Sequence, residues 1–253
     1  MMPTAFLSHG APDRVLTDSP SHRFLQSFST LVKKPKGILI ISAHWQTQEL
    51  TLSAPGELET VHDFFGFPKA LHQFQYPAFQ SKSFTHTLVT LFEEAGLSVR
   101  QKNRGLDHGS WSVLALAYPE SEIPIANLSL PHYESFSDYL ELGRKLTELR
   151  QHGILIIGSG SATHNLGTLS LSRPTPSWAT DFVGWLQSNV KTMNDNELAK
   201  LYQNAPSGKT AHPTPEHFLP LLVAMGAAEG GTSQLLHDSY ELSSLNNSSF
   251  LFE

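Results

Sequence analysis

Two stretches of this chain, GILIISA at 37–43 and GILIIG at 153–158, are unbroken apolar runs without a single charge. Runs of this length are far too short to cross a bilayer. As strands they would send side chains alternately to two faces, so both faces need cover. That requirement predicts an α/β fold: a central, mostly parallel or mixed sheet flanked by helices. Residues 4–8 read as a third such strand, with further strands at 49–53, 123–130, 235–242 and 248–252. Helical spacing of apolar residues predicts helices over 21–32, 83–95, 135–150, 178–193, 196–202 and 215–228. Residues 54–80, rich in Pro, Gly and aromatics, are expected to form a long functional loop. No repeat or linker divides the chain, so residues 1–253 are expected to be a single catalytic domain.

In sheets of this kind ligands bind beyond the carboxyl ends of the strands. Each of the three buried runs leads into a histidine there: AFLSHG gives His9, ILIISAHW gives His44, and ILIIGSGSATHNL gives His164. If these strands are parallel neighbours, the three imidazoles share one end of the sheet. Two more candidates are His217 in AHPTPEHFLP, expected to open a helix, and His108 in the turn-like segment RGLDHGSW. His212, in a Pro-flanked turn, competes with His217. Histidine is the commonest metal ligand and titrates near neutral pH, so the convergence predicts a metal site. A lone strand-end histidine is more often a hydrogen-bonded structural residue; the joint pattern carries the reading. His62 sits in TVHDFFGFP, where Phe64, Phe65 and Phe67 form either a wall for an aromatic substrate or part of the core. Trp45 also suits a flat ring. The remaining histidines at 22, 72, 86, 132, 152 and 237 lie in helical or solvent-like contexts.

Composition narrows the chemistry. With 13 histidines and no cysteine, disulfides, thiolate ligands and a Cys nucleophile are excluded. The lack of cysteine fits a reducing cytoplasm. A net charge of −6 without a basic cluster speaks against nucleic acid as a partner. The N-terminal MMPTAFLSHGAPD has no basic region followed by a long apolar stretch, so neither a signal peptide nor a membrane anchor is expected. The sequence bears no readable mark of oligomeric state. There is no GxSxG elbow, and GSGSAT lacks the GK[ST] ending of a phosphate loop.

Seven segments, SHGAP (8–12), SAHW (42–45), HDFFGFP (62–68), RGLDHGSW (104–111), IPIANLSL (123–130), GSGSATHNL (158–166) and HPTPEHFLPLL (212–222), run in this order along nearly the whole chain. Together they resemble the class III extradiol dioxygenases, in particular the 4,5-DOPA dioxygenase-like branch. The resemblance implies a non-haem metal held by His9 and His44, with His217 at the third ligand position. It implies that His164 is either a further ligand or the acid/base, and that His108 contacts substrate or oxygen. It also implies a catechol substrate, DOPA-like in kind, cleaved by O2, with Trp45, Phe64 and Phe67 as substrate contacts. The wider superfamily uses a carboxylate as third ligand, whereas here His217 stands there with Glu216 beside it. Fe(II) is expected for activity, and Zn(II) is a plausible occupant of isolated protein. Two competing readings are a zinc-dependent hydrolase on the same scaffold and a non-catalytic metal-binding protein.

Overall fold

A computed structural model describes all residues, 1–253, and no helix in it is long and apolar enough to cross a membrane. The strands are β1 (Thr4–Ser8), β2 (Gly37–Thr47), β3 (Thr51–Ser53), β4 (Gly56–Leu58), β5 (Ala78–Gln80), β6 (Arg100–Lys102), β7 (Ile125–Pro131), β8 (Ile154–Gly160), β9 (Ser233–His237), β10 (Tyr240–Glu241), β11 (Leu245–Asn246) and β12 (Ser249–Phe252). Eight of them form one sheet in the order β6-β3-β7-β2-β8-β1-β12-β9. The four central strands β7, β2, β8 and β1 are parallel; β12 and β9 on one side, and the β3–β7 pairing on the other, are antiparallel. The sheet is therefore mixed, with the charge-free runs at its centre, as their composition demands.

The strand period splits the core in two. In β2, Leu39 and Ile41 face one apolar cluster while Ile38 and Ile40 face the other. In β8, Ile154 and Ile156 divide from Leu155 and Ile157 in the same way. The first face is covered by α3 (Lys82–Glu94), α5 (Phe136–Lys145), α7 (Ser177–Lys191) and α11 (Leu219–Gly226), and the second by α1 (Pro20–Ser27) and α4 (His108–Ala117). Short helices α2 (Lys69–His72), α6 (Thr147–Gln151), α8 (Asp195–Leu198), α9 (Leu201–Asn204) and α10 (Gly208–Ala211) fill the connections. Each fully buried Leu or Ile contributes about 1.5–3 kcal/mol, so these two clusters dominate the stability.

Several boundaries differ from the sequence expectation for identifiable reasons. The helix expected over 21–32 starts after the Ser19 cap, whose side chain accepts from His22 N–H, and tightens to a 3-10 turn at Phe28–Thr30. The helix expected over 135–150 is interrupted at Leu146, between α5 and α6, where Leu146 N–H bonds back to Gly143. The loop expected over 54–80 contains the β4–β5 hairpin pairing and α2. The helix expected over 215–228 begins only at Leu219, with Pro220 in its first turn. His217 consequently does not open a helix; it lies in the tight turn before it, where Phe218 N–H bonds to Pro215 O.

That turn is clamped to the end of β8. Ser161 N–H donates to His217 O at 3.0 Å. A Cβ placed on Gly160 would lie 2.1 Å from the same carbonyl oxygen, so glycine alone allows the approach. Gly160→Ala is expected to force the 216–218 turn off the sheet and to destabilise the metal-free protein by about 1–3 kcal/mol. Urea unfolding checks this; a midpoint equal to that of the parent would contradict the tight packing.

Candidate metal centre

The parallel register aligns the strand ends that carry the histidines. Ser8 of β1 pairs with Gly160 of β8, and Ser42 of β2 pairs with Ser159. His9 follows β1 directly and takes a backbone bond from its N–H to Gly160 O. His44 is still within β2, but the β2–β7 pairing jumps from Ile41↔Leu128 to Gln46↔Leu130. The extra residues bulge from the ladder and turn His44 over the end of the sheet, a common use of such irregularities. The turn clamped at Gly160 delivers His217.

The three side chains meet. His44 Nε2 lies 3.3 Å from His9 Nε2 and 3.3 Å from His217 Nε2. The donor atoms of His9, His44 and His217 all fall within 4.8 Å of one another. Two nitrogen–metal bonds of about 2.1 Å spread at a right to tetrahedral angle separate their nitrogens by about 3.0–3.4 Å. The donor set thus fits one divalent cation.

In two of the three rings the other nitrogen is hydrogen-bonded, which decides where those protons sit. Ser159 Oγ donates its one proton to Gly109 O at 2.5 Å, so towards His9 Nδ1, 3.0 Å away, it can only accept. His9 is therefore protonated on Nδ1. His217 Nδ1 donates to Glu216 Oε1 at 3.0 Å, and the same oxygen accepts from Thr214 Oγ1. His44 Nδ1 faces Asp63 Oδ2 at 3.6 Å. In His9 and His217 the Nε2 lone pair is left for the shared point, the arrangement in which a carboxylate or hydroxyl orients a metal-bound imidazole; the Asp63 charge favours the same tautomer of His44 without a hydrogen bond to it.

Burial reinforces this protonation state. Burial first, and then the neighbouring imidazoles, hold His9 well below the ordinary histidine value. Burial likewise lowers His217, against the pull of Glu216, and brings His44 down to about 4. Burial raises the Asp63 carboxyl, but the bonds and charge of His108 outweigh it and hold the group at about 2. Near neutral pH the site therefore holds neutral rings backed by charged carboxylates.

The remaining candidates separate by geometry. His164 is fixed through its backbone N–H to Ala211 O, and its ring lies flat on His217, with centroids 3.4 Å apart and planes 9° from parallel. It groups with Glu216 and His217 rather than with the His9–His44–His217 set. His108 is the first residue of α4; its backbone N–H and Nδ1 both donate to Asp63 Oδ1, at 3.0 and 2.9 Å. This leaves His108 Nε2 without a protein partner beside His44, the ring centroids being 4.0 Å apart. His212 is remote from this chemistry: it is fully buried between Phe182 and Phe218, with Nε2 bonded to Ala162 O.

His9, His44, His108 and His164 form the floor of a cavity of about 400 Å³. Phe64 and Phe67, packed edge to face at 5.3 Å, stand on one side of it. Phe65, at 93% exposure, points away from the core, and Trp45 is buried beneath the Arg104 guanidinium, outside the cavity lining. A wider groove of about 700 Å³ runs past Glu59, Gln75 and Arg104 but contains none of the clustered histidines, so its size gives it no claim on the chemistry.

Two contributors, Asp63 and Asp107, were not singled out in the sequence, whereas Gly109 is one of the glycines whose setting suits close backbone approach. Asp63 lies inside HDFFGFP, but nothing local announces that it pairs with His108, 45 residues on. Asp107 caps α4 through Ser110 N–H and also accepts from Ser42 Oγ at 2.6 Å. An Asp immediately before an apolar helix is a legible cap signal. Gly109 follows His108, and a Cβ there would come within 2.9 Å of the His44 ring and 3.1 Å of His9 Nδ1.

Comparison with known proteins agrees with this geometry. The family model described as the catalytic LigB subunit of aromatic ring-opening dioxygenase matches residues 3–253. The chain is 42% identical to a protein of Beta vulgaris named 4,5-DOPA dioxygenase extradiol, covering 98% of this chain and 96% of that one. It is 38% identical to a protein of the same name from Escherichia coli K12, covering 90% and 86%. A crystal structure of an uncharacterized Escherichia coli K12 protein superposes with a TM-score of 0.84 at 33% identity over the whole of both chains.

A pH dependence follows from the buried imidazoles. Their folded pKa values lie below the unfolded value of about 6.5, so below that pH the unfolded chain binds more protons and stability falls as pH falls. His212, at about 4, spans the window from 6.5 down to 4, and His44 shares it. The metal-free protein is expected to lose up to about 2 kcal/mol per such ring between pH 6.5 and 5. Denaturant unfolding at pH 7 and 5 measures this; equal stability at the two values would contradict neutral buried rings.

Proposed function

The chain belongs to the LigB family of aromatic ring-opening dioxygenases and is an extradiol ring-cleaving oxidoreductase acting on catechol-like compounds with O2; on that premise we propose that residues 1–253 act as one catalytic domain in which His9, His44 and His217 hold Fe(II) and His164 moves the protons. The observation that carries this reading is the convergence of His9 and His217 Nε2, each 3.3 Å from His44 Nε2, beside an aromatic-walled cavity that His9 and His44 line. The names of the relatives support a DOPA-like catechol as substrate. A hydrolase on the same scaffold is not favoured by these relatives.

When bound, Fe(II) would supply a Lewis acid for the catechol hydroxyls and an electron donor for dioxygen. The protein's part is binding, orientation and proton transfer. A cavity of about 400 Å³ suits a single substituted ring. Phe64 and Phe67 offer it an apolar wall and exclude water from that side. His164 lines the cavity with its ring free of side-chain duties in the fold, and burial lowers its pKa, against the pull of Glu216. It is therefore a neutral base able to take a phenolic proton and return it during ring opening. Because its ring stacks on His217 instead of joining the three-nitrogen set, we assign it as acid/base and not as a fourth ligand. His108, held by Asp63 through Nδ1, presents Nε2 for a second hydrogen bond to the reacting oxygens. Glu216 compensates for the third imidazole: the carboxylate stands one hydrogen bond outside the ligand set.

Substitutions separate these roles. His44→Ala is expected to lose the metal, by elemental analysis. His164→Gln is expected to retain it while turnover falls by about 10²–10⁴. After chelation, Fe(II) should restore oxygen uptake with a catechol and Zn(II) should not, since zinc has no redox chemistry. Full metal content in His44→Ala, or near-parental turnover in His164→Gln, would overturn the assignment.

A further inference from the structure

The cavity above the histidines has an uneven electrostatic lining. Its outer wall is apolar, built by Leu166, Leu169, Leu242 and Leu245. It contains two carboxylates, Asp13 and Asp63, and no lysine or arginine. Asp63 is already committed, accepting twice from His108 and facing His44.

Asp13 is different. It lies in the first turn of the 3-10 segment Pro12–Leu16, which follows His9 and Gly10 past the metal floor. It is half-buried at the cavity wall and takes part in none of the salt bridges of the fold. The adjacent cation, Arg14, feels the charge of Asp13 but forms no ion pair with it, its hydrogen bonds going elsewhere. Its guanidinium is buried, donating to Ser8 O at 2.7 Å, to Asn247, and to Glu241 at 3.2 Å. Arg104 is likewise outside, stacked over Trp45. A substrate whose hydroxyls rest on the histidine floor would carry its side chain towards four leucines and one uncommitted carboxylate.

We propose that Asp13 is the specificity residue of this cavity: its carboxylate anchors a protonated amine on the catechol's side chain, so amine-bearing catechols are preferred over catechol acids. This rests on the dioxygenase reading above and adds to it the class of side chain. The alkyl linker of such a side chain gains by contact with the leucines, and the ammonium gains a charge-assisted hydrogen bond. A side-chain carboxylate would meet Asp13 with no lysine or arginine in the cavity lining to receive it. An amino-acid side chain, bearing both charges, would be held by its ammonium and stand between the two.

The test uses three catechols at pH 7: dopamine (cationic), 4-methylcatechol (neutral) and 3,4-dihydroxyphenylacetate (anionic). kcat/KM is measured with the iron-loaded protein, and affinity with the metal-loaded protein under anaerobic competition. The amine is expected to exceed the acid by about tenfold or more. Asp13→Asn should shrink that ratio to within about threefold, and Asp13→Lys should invert it. An acid equal to or better than the amine, or a ratio unchanged in Asp13→Asn, would overturn the proposal. Anaerobic binding reads the charge preference without turnover. If no catechol is opened but dopamine still binds best through Asp13, the dioxygenase reading falls and the anchor stands. If all three are opened equally, the anchor falls and the dioxygenase reading stands.

Discussion

The Nε2 atoms of His9 and His217, each held 3.3 Å from His44 Nε2 inside the protein, are the constraint on which the rest of this structure depends. A buried nitrogen acceptor costs about 1–3 kcal/mol unless it finds a partner, so the way these rings are held matters. Protonation is opposed by burial, and rotation of the rings is opposed by the partners of the opposite nitrogens: Ser159 for His9, Asp63 for His44, Glu216 for His217. A divalent cation would take all three rings as ligands at once, and binding it would stabilise the folded chain.

The fold serves this point from four separate directions. Parallel pairing of β1, β2 and β8 brings His9 and His44 to one end of the sheet. The irregularity in β2 re-aims His44. Gly160 admits the turn that carries His217, and the Asp107 cap starts α4 so that His108 sits beside the cluster. None of these devices is chemical in itself. Each removes freedom from a ring, and the removal of freedom is what positions a base and a ligand set before a reactant arrives. The cavity wall divides the remaining labour, with aromatic contact at Phe64 and Phe67 and apolar contact at the leucines.

Much of this was legible in the chain, for reasons that can be named. The runs at 37–43 and 153–158 carry no charge and so had to lie at the centre of a covered sheet, and their following histidines had to share its carboxyl end. The ordered motifs carried the family. What was not legible was pairing across distance. Nothing near Asp63 states that it holds His108, and nothing near Ser159 states that its proton goes to Gly109 O and fixes His9. Pro215 looks like a first-turn proline and suggests an earlier start for α11, whereas Pro220 fills that role. Trp45, whose place beside His44 suggests a ring-binding residue, is turned by alternation along the bulged strand to the far side, under Arg104. Phe65 shares its motif with Phe64 and Phe67 but points outward, because three neighbouring side chains cannot share one wall.

The central claim is about protons: in the metal-free protein His9, His44 and His217 carry theirs on Nδ1 and aim bare Nε2 atoms at one another. Long-range proton–nitrogen correlation spectra of the histidine rings, recorded near pH 7, report the tautomer of each ring directly. The account predicts the Nδ1–H form for all three, with the Nε2 resonances alone moving strongly when a diamagnetic divalent cation is added. A proton on Nε2 of any of the three, or a doubly protonated ring among them, would contradict it.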